Sequence, residues 1–432
     1  MPSSHDLDPL SAMQLLLAAP LLLLLLQGSP SHALDNGLGR TPPQGFNPWN
    51  CFGISRTGTC KLVNPALPPP GCHGFNESVI LAVADAMVSS GLADAGYTHV
   101  NLDCGWTTGY RHETTHELIV NTDKFPHGLR WLGDRIHEKG LKFGIYLSAS
   151  KAQCCSHGYN NANDGSDGFE QQDARLIASY GVDYLKYDDC DQVNQSYYAM
   201  RDALNSTGRP IFYSIHGLQG AVAVDVANAW RTTHDVNNTF ESVLERAMLN
   251  DAFASFSGPG SFAMPDMLEV GNFYNNNNAG LSNAESRSMM SMWAVMKAPL
   301  LIGTDVTLPR NRDDQTIKIL SNPEVLAIDQ DPSGRSARLV AGTPDGTTVY
   351  AGTLSGSGTQ RVLSLTNSGN VTAVNISVDL DAVLGKPGWA WKARDVWRRA
   401  DYVHKIVSGK TTFGLVEHHD TLLLTLTGLP PP

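Results

Sequence analysis

Gly181-Val-Asp-Tyr-Leu-Lys-Tyr-Asp-Asp-Cys-Asp191 is the stretch whose reading decides the fold. Val182, Tyr184, Leu185 and Tyr187 are β-branched, aliphatic or aromatic, and they follow the breaker Gly181, so they suit a buried strand. The charge sits at the C-terminal end of that strand. In an eight-stranded α/β barrel this end faces the active site. Asp188 is therefore a candidate nucleophile, with Lys186 beside it. A solvated surface turn is the plainer alternative, and the apolar run feeding into the acids together with Cys190 argues against it.

Outward from this strand, short apolar segments alternate with helix-like ones. Strands are expected at Gly45–Trp49, Tyr97–Asp103, Leu141–Leu147, Val182–Asp188, Pro210–His216, Ala227–Thr232, around Ser261–Met267, and at Pro299–Gly303. Amphipathic helices are expected at Ser78–Ser90, Gly128–Lys139 and Phe169–Tyr180, the last capped by Ser166. Eight strands with interleaved helices fit a (β/α)8 TIM barrel over residues 34–328. A doubly wound open sheet would want a glycine-rich phosphate loop after its first strand, and none is present. Asp329-Gln-Asp-Pro-Ser-Gly334 reads as a linker. Residues 335–428 then carry eight short, β-branched segments separated by Gly, Asn and Ser, which predicts an antiparallel β-sandwich.

Composition narrows the partners. Hydrophobic residues make up 42% and charged residues 17% of the 432, as in a globular protein. A net charge of −11 with no basic block argues against nucleic acid or an anionic membrane as partner. Residues 1–33 read as a signal peptide: Leu15–Leu26 is apolar but short for a membrane span, and Ser31-His-Ala33 suits cleavage. Export would make disulfides the expected state of the seven cysteines. Sequons at Asn76, Asn194, Asn205, Asn237, Asn370 and Asn375 agree with that route.

Two carboxylates stand out, Asp188 and the Asp235 of Trp230-Arg-Thr-Thr-His-Asp235, each where a predicted strand ends. Retaining glycoside hydrolysis needs such a pair: one attacks the anomeric carbon, the other protonates the leaving oxygen and then activates water. The acid then needs a raised pKa, which its anionic partner would help to supply. Trp49, Trp106 and Tyr146 lie at other strand ends and offer ring faces for a pyranose. His112-Glu-Thr-Thr-His116 matches a zinc-protease pattern literally, but its setting reads as a loop and not the helix the pattern requires. The Asp188, Asp189, Asp191 group lacks the spacing of a calcium loop, so no metal is expected.

These residues carry a resemblance. Leu34-Asp-Asn-Gly-Leu-Gly-Arg-Thr-Pro-Pro, Gly45-Phe-Asn-Pro-Trp-Asn, Gly140-Leu-Lys-Phe-Gly-Ile-Tyr146, Gly181 to Cys190, Trp230 to Asp235 and Pro265-Asp-Met-Leu-Glu-Val-Gly-Asn are similar to glycoside hydrolase family 27, the melibiases. The resemblance runs from about Leu34 to Gln330. It implies a barrel followed by an antiparallel β domain, and hydrolysis of α-galactosides with retention. It makes Asp188 the nucleophile and Asp235 the general acid/base, and it places Trp49, Asp103, Tyr146, Lys186, Arg231 and Asp266 on the sugar. It also pairs Cys154 with Cys190, closing a 36-residue loop worth roughly 3–4 kcal/mol in the chain-entropy model. Cys155 is then expected to be the spare thiol, and Cys104 to pair upstream with Cys51 or Cys60, leaving the other for Cys72.

Two departures from the family are visible. Where it carries paired acids, this chain reads Asn101-Leu-Asp-Cys104, so Leu102 is expected to remove a contact to the hydroxyls toward C4 and C6. The loop after the fifth strand reads Ser214-Ile-His-Gly-Leu-Gln219 in place of Cys-Glu-Trp, and His216 is either a substitute polar contact or a structural histidine. The resemblance implies a retaining exo-α-galactosidase (EC 3.2.1.22). A β-L-arabinopyranosidase or α-N-acetylgalactosaminidase is the alternative within the class, and a catalytically inactive sugar-binding protein the alternative outside it. No cofactor is expected, because displacement at an acetal needs no redox partner. The expected partner is a carbohydrate, with no nucleic acid and, after leader cleavage, no membrane; a homodimer is an allowed assembly. The expected location is the secretory pathway, ending outside the cell or in a vacuole or lysosome.

Overall fold

A computed structural model describes residues 36–52, 75–156, 161–190, 194–272, 280–309, 313–342 and 346–431. The expected signal peptide, Cys60, Cys72 and Asp191 lie outside the described residues. Among the described residues no helix is long and apolar enough to cross a membrane.

The first described elements are β1 (Gln44–Phe46), the one-turn helix α1 (Trp49–Phe52), helix α2 (Glu77–Ser89) and β2 (His99–Asn101). A hairpin follows, made of β3 (Thr107–Arg111) and β4 (Leu118–Val120), and then α3 (Gly128–His137) and β5 (Lys142–Ser148). Next come α4 (Glu170–Ser179), β6 (Tyr184–Asp188), α5 (Asn194–Ser206), β7 (Phe212–Ile215), α6 (Ala221–Val224) and β8 (Ala229–Arg231). Helix α7 (Phe240–Asp251), β9 (Phe262–Met264), α8 (Asn283–Met296) and β10 (Leu300–Ile302) complete the alternation. Eight of these strands pair in parallel in the order β10-β1-β2-β5-β6-β7-β8-β9. A parallel bridge from Leu268 to Ile302 joins the segment after β9 to β10 and closes the ring. This is the predicted barrel, and each ring strand overlaps a segment expected to be one.

Strand alternation divides the side chains into two layers. On β5 and β6, Phe143, Ile145, Leu147, Leu185 and Tyr187 join the large core between sheet and helices. Tyr184, Phe212, Ala229, Met264, Met267 and Leu301 point inward and plug the barrel. Gly144 is needed for closure, because a Cβ there would stand 1.9 Å from Asn101 Oδ1. Inward positions C-terminal to the plug open to the site. His99 lies on the same inward face, and burial lowers its pKa to about 4, so the ring is neutral.

Ser166 does not cap α4: the residue before that helix is Phe169, which makes no side-chain cap, and the Ser166 carbonyl instead accepts the Phe169 N–H in the preceding turn. The expected linker is firmly held. Helices α9 (Asp314–Leu320) and α10 (Pro323–Asp329) lead into it, and Asp331 accepts from Ser333 and from the Ser355 backbone and hydroxyl. The C-terminal part comprises β11 (Arg338–Gly342), β12 (Thr347–Thr353), β13 (Gln360–Asn367), β14 (Ala373–Asp379), α11 (Leu380–Leu384), β15 (Ala390–Asp395), β16 (Ala400–Ser408), β17 (Lys410–Glu417) and β18 (Thr421–Leu429). These strands form an antiparallel six-stranded sheet, β11-β12-β13-β18-β15-β16, facing the pair β14-β17 across a core that includes Trp391, Phe413 and Leu424. The turn before β18 docks on α8 through Arg287 to Asp420 and Ser288 to the His419 carbonyl.

Candidate active site

The barrel brings most of the expected residues to one rim; Trp106 is the exception, wholly buried in the core with its indole N–H donating to the Tyr146 carbonyl. Asp188 ends β6, Arg231 ends β8, Tyr146 and Lys186 lie near the ends of β5 and β6, and Asp103, Trp49 and Asp266 follow β2, β1 and β9. Lys186, Arg231, Asp266 and His216 line one small cavity above the plug residues Tyr184 and Met264.

Asp188 is the most heavily supported of these groups. Its Oδ2 accepts from the Tyr146 hydroxyl at 2.8 Å, and its Oδ1 accepts from the Asp189 N–H at 2.9 Å. His216 Nδ1 lies 2.7 Å from the same Oδ1. Burial alone would raise the Asp188 carboxyl, but His216, Lys186 and the Asp189 N–H outweigh it and hold the group well below the usual carboxylate range. Burial and the charge of Asp188 push the Tyr146 phenol well up, so it stays a donor. The Cys154–Cys190 disulfide lies alongside, with the Cys154 sulfur 3.6 Å from Oδ2.

A second cluster holds the floor. Asp103 Oδ2 accepts from Lys186 Nζ at 2.7 Å and from Asn47 Nδ2 at 2.8 Å. Burial disfavours the charge on Lys186, but Asp103 and Asp188 together raise its pKa. The ammonium lies 5.8 Å from the Trp49 ring and 5.2 Å from the Tyr146 ring. Trp49 is set by Asn47, whose Oδ1 accepts the Trp49 N–H at 2.9 Å. Behind α1, Glu269 accepts from Asn50 and from Asn272, and burial lifts its pKa to about 8. The uncharged acid thus ties the loop after β9 to the one after β1.

Arg231 forms the third cluster, 3.0 Å from Asp266 Oδ1 and 3.1 Å from Asp235 Oδ1. Asp266 is held on both oxygens, which accept the Val236 and Met267 N–H groups at 2.7 Å each. Asp235 is not: its side chain is 67% exposed. The raised acid expected from its anionic neighbour is not found. Burial works in that direction, but the Arg231 guanidinium and, behind it, Lys186 leave Asp235 below the ordinary carboxylate range.

The arrangement offers an ionised, enclosed carboxylate, a second carboxylate open to solvent, and cations between them. Aromatic faces from Trp49 and Tyr146 flank this set. Comparison with known proteins gives it a family. The model for α-galactosidase A matches residues 41–331, and that for the α-galactosidase C-terminal β-sandwich domain matches residues 344–426. The chain belongs to the melibiases, glycoside hydrolase family 27. Family members of known name are close. α-Galactosidase 3 of Arabidopsis thaliana is 40% identical over 407 residues, covering 91% of this chain and 83% of its own. The crystal structure of α-galactosidase I from Mortierella vinacea superposes with a TM-score of 0.76 at 29% identity, covering 91% and 98%. The Saccharomyces cerevisiae α-galactosidase solved with raffinose shares the fold, with a TM-score of 0.77 at 24% identity and coverage of 93% and 100%.

The cysteine pairing differs from the family-based expectation. Cys104 pairs with Cys155 and not upstream, and among the described residues the free thiol is Cys51, whose Sγ lies 3.6 Å from the Pro48 carbonyl. Strand adjacency explains it: β2, β5 and β6 are consecutive in the ring, so the segments after them meet, and Cys154-Cys155 bridges to both sides. Leu102 is wholly buried among the helix-facing residues with Val100, while Asp103 takes the inward position. Leucine at 102 offers no hydrogen-bond acceptor, so Asp103 is the acid of this segment that engages Lys186 and Asn47. The residue following Asp103 is the disulfide-bonded Cys104. His216, for which two readings were open, is in contact with the nucleophile candidate. Asn47 and Glu269 fall within the motifs, yet the sequence assigns them no role, because a second layer of support leaves no pattern of its own. The His112–His116 segment joins β3 to β4 as a hairpin turn, with His116 at φ 59°, so no helical zinc motif forms.

Proposed function

We propose that the protein hydrolyses terminal α-D-galactosyl residues by double displacement, with Asp188 as nucleophile and Asp235 as general acid/base. The observation that carries the assignment is the asymmetry of the two carboxylates. Asp188 is ionised, enclosed and held on both oxygens, as attack at an anomeric carbon requires. Asp235 is reachable by water and by a departing oxygen. In the first step a bond forms from Asp188 to C1 as the glycosidic bond breaks, and Asp235 gives its proton to the leaving oxygen. In the second, Asp235 takes a proton from water as water displaces Asp188. Asp103, Lys186, Arg231 and Asp266 would bind hydroxyls, and Trp49 and Tyr146 would pack on the ring face. That the yeast relative was solved with raffinose supports a carbohydrate partner. The two disulfides and the sequons support export through an oxidising compartment.

Leu102 is the feature that would favour a pentopyranoside, so the two sugars are to be compared directly. Turnover of nitrophenyl α-D-galactoside should exceed that of nitrophenyl β-L-arabinopyranoside, and proton NMR should show α-galactose as the first product. Preferential pentoside turnover would overturn the sugar assignment, and β-galactose as first product would overturn the double displacement.

A further inference from the structure

Hydrogen bonding distinguishes the two oxygens of Asp188. A carboxylate oxygen has two lone-pair sites. On Oδ1 both are taken by N–H donors, the Asp189 amide at 2.9 Å and His216 Nδ1 at 2.7 Å. On Oδ2 one is taken, by the Tyr146 hydroxyl. Oδ2 is therefore the oxygen free to attack, and Oδ1 becomes the carbonyl oxygen of the glycosyl ester. Because an ionised Asp188 can only accept, the hydrogen in the His216 contact is carried on Nδ1.

We propose that His216 drives discharge of the covalent intermediate, its Nδ1–H stabilising the carboxylate that leaves when water cleaves the ester. The inference rests on Asp188 being the nucleophile of a double displacement. In the first step Asp188 gives up charge as the Oδ2–C1 bond forms, so a donor on Oδ1 assists little. In the second, the C1–Oδ2 pair returns to the carboxylate and spreads onto Oδ1, while a water oxygen bonds to C1 and its proton passes to Asp235. A donor already aimed at Oδ1 stabilises that developing charge without reorganisation. The other charged groups around the ring are Lys186 on β6, Arg231 on β8, and Asp189, Asp235 and Asp266 on the loops beyond β6, β8 and β9. Arg231 is engaged by Asp266 and Asp235, and Lys186 by Asp103. The position lies in Ser214-Ile-His-Gly, where the family's galactosidases carry Cys-Glu-Trp, and a glutamate carboxylate could not donate in this way.

The test uses H216A and H216N with a dinitrophenyl α-galactoside, whose good leaving group makes the second step limiting. H216A should lower kcat about tenfold, as loss of one charge-assisted donor implies, with KM falling in step. It should also show a pre-steady-state burst of dinitrophenol equal to the enzyme concentration, and intact-mass spectra should show the adduct. H216N retains a short N–H donor and should recover most of kcat. Equal falls in kcat and kcat/KM without a burst, or no change in either, would overturn the proposal. If H216A does not fold, H216Q, whose donor is displaced by one bond, takes its place under the same criteria. Peptide mapping of the trapped adduct separates the two levels: a label on Asp188 leaves the nucleophile assignment standing whatever His216 does, and a label elsewhere overturns both.

Discussion

Asp188 and Asp235 stand two ring strands apart on very different ground. Asp188 closes a regular strand, accepts from Tyr146, Asp189 and His216, and lies against a disulfide. Asp235 sits on a loop, its carboxylate largely exposed and paired with the Arg231 guanidinium. The difference fits the two roles proposed for them. A nucleophile must meet C1 within a few tenths of an ångström, so rigidity serves it. An acid/base must trade protons with solvent and accept leaving groups of differing shape, so access serves it.

The largest expected effect is at the enclosed corner. D188N should reduce turnover on the order of 10⁴-fold or more, since no neighbour can replace a nucleophile. Azide should restore turnover and give β-galactosyl azide, because a single displacement inverts. D235N should lose roughly 10²–10⁴-fold on a phenyl galactoside and far less on a dinitrophenyl one, which departs without a proton. Its azide product should be the α anomer. Equal losses on both aglycones, or one azide anomer from both variants, would erase the contrast.

Smaller effects probe what holds each corner. Removing the Cys104–Cys155 link by C104S/C155S opens a 51-residue loop and should lower stability by about 4 kcal/mol in the chain-entropy model, measured by denaturant melting. Activity should fall with it, because the link braces the segment that holds Cys154 beside Asp188. For the open corner the readout is pH. Arg231 keeps the Asp235 carboxyl low, so the acid is lost as pH rises and the alkaline limb of kcat/KM should lie on the acidic side of neutrality. R231Q should move that limb upward, whatever it does to the height of the profile. A limb that stays in place would show that Arg231 does not tune Asp235.

Much of this was readable from residues alone. An apolar run ending in polar groups marks a barrel strand wherever it occurs, and Lys142–Ser148 and Tyr184–Asp188 are long enough to be unmistakable. Asp188, Lys186 and Arg231 follow once those strands are placed in a ring. Ring order could also have paired Cys104 with Cys155, since β2 and β5 are neighbours, but the family pattern pointed upstream. Alternation along β2 could have placed Leu102 outward and Asp103 inward. Other features were not accessible in this way. The lowered Asp235 depends on where a guanidinium comes to rest, and the His216 contact on how the turn after β7 is folded. Such facts arise from distances between chain segments, which spacing along a chain does not record.

The consecutive cysteines at 154 and 155 make three neighbouring strand ends depend on oxidation. A newly made chain held among reduced thiols would possess every catalytic side chain yet lack the clasp that fixes the attacking one.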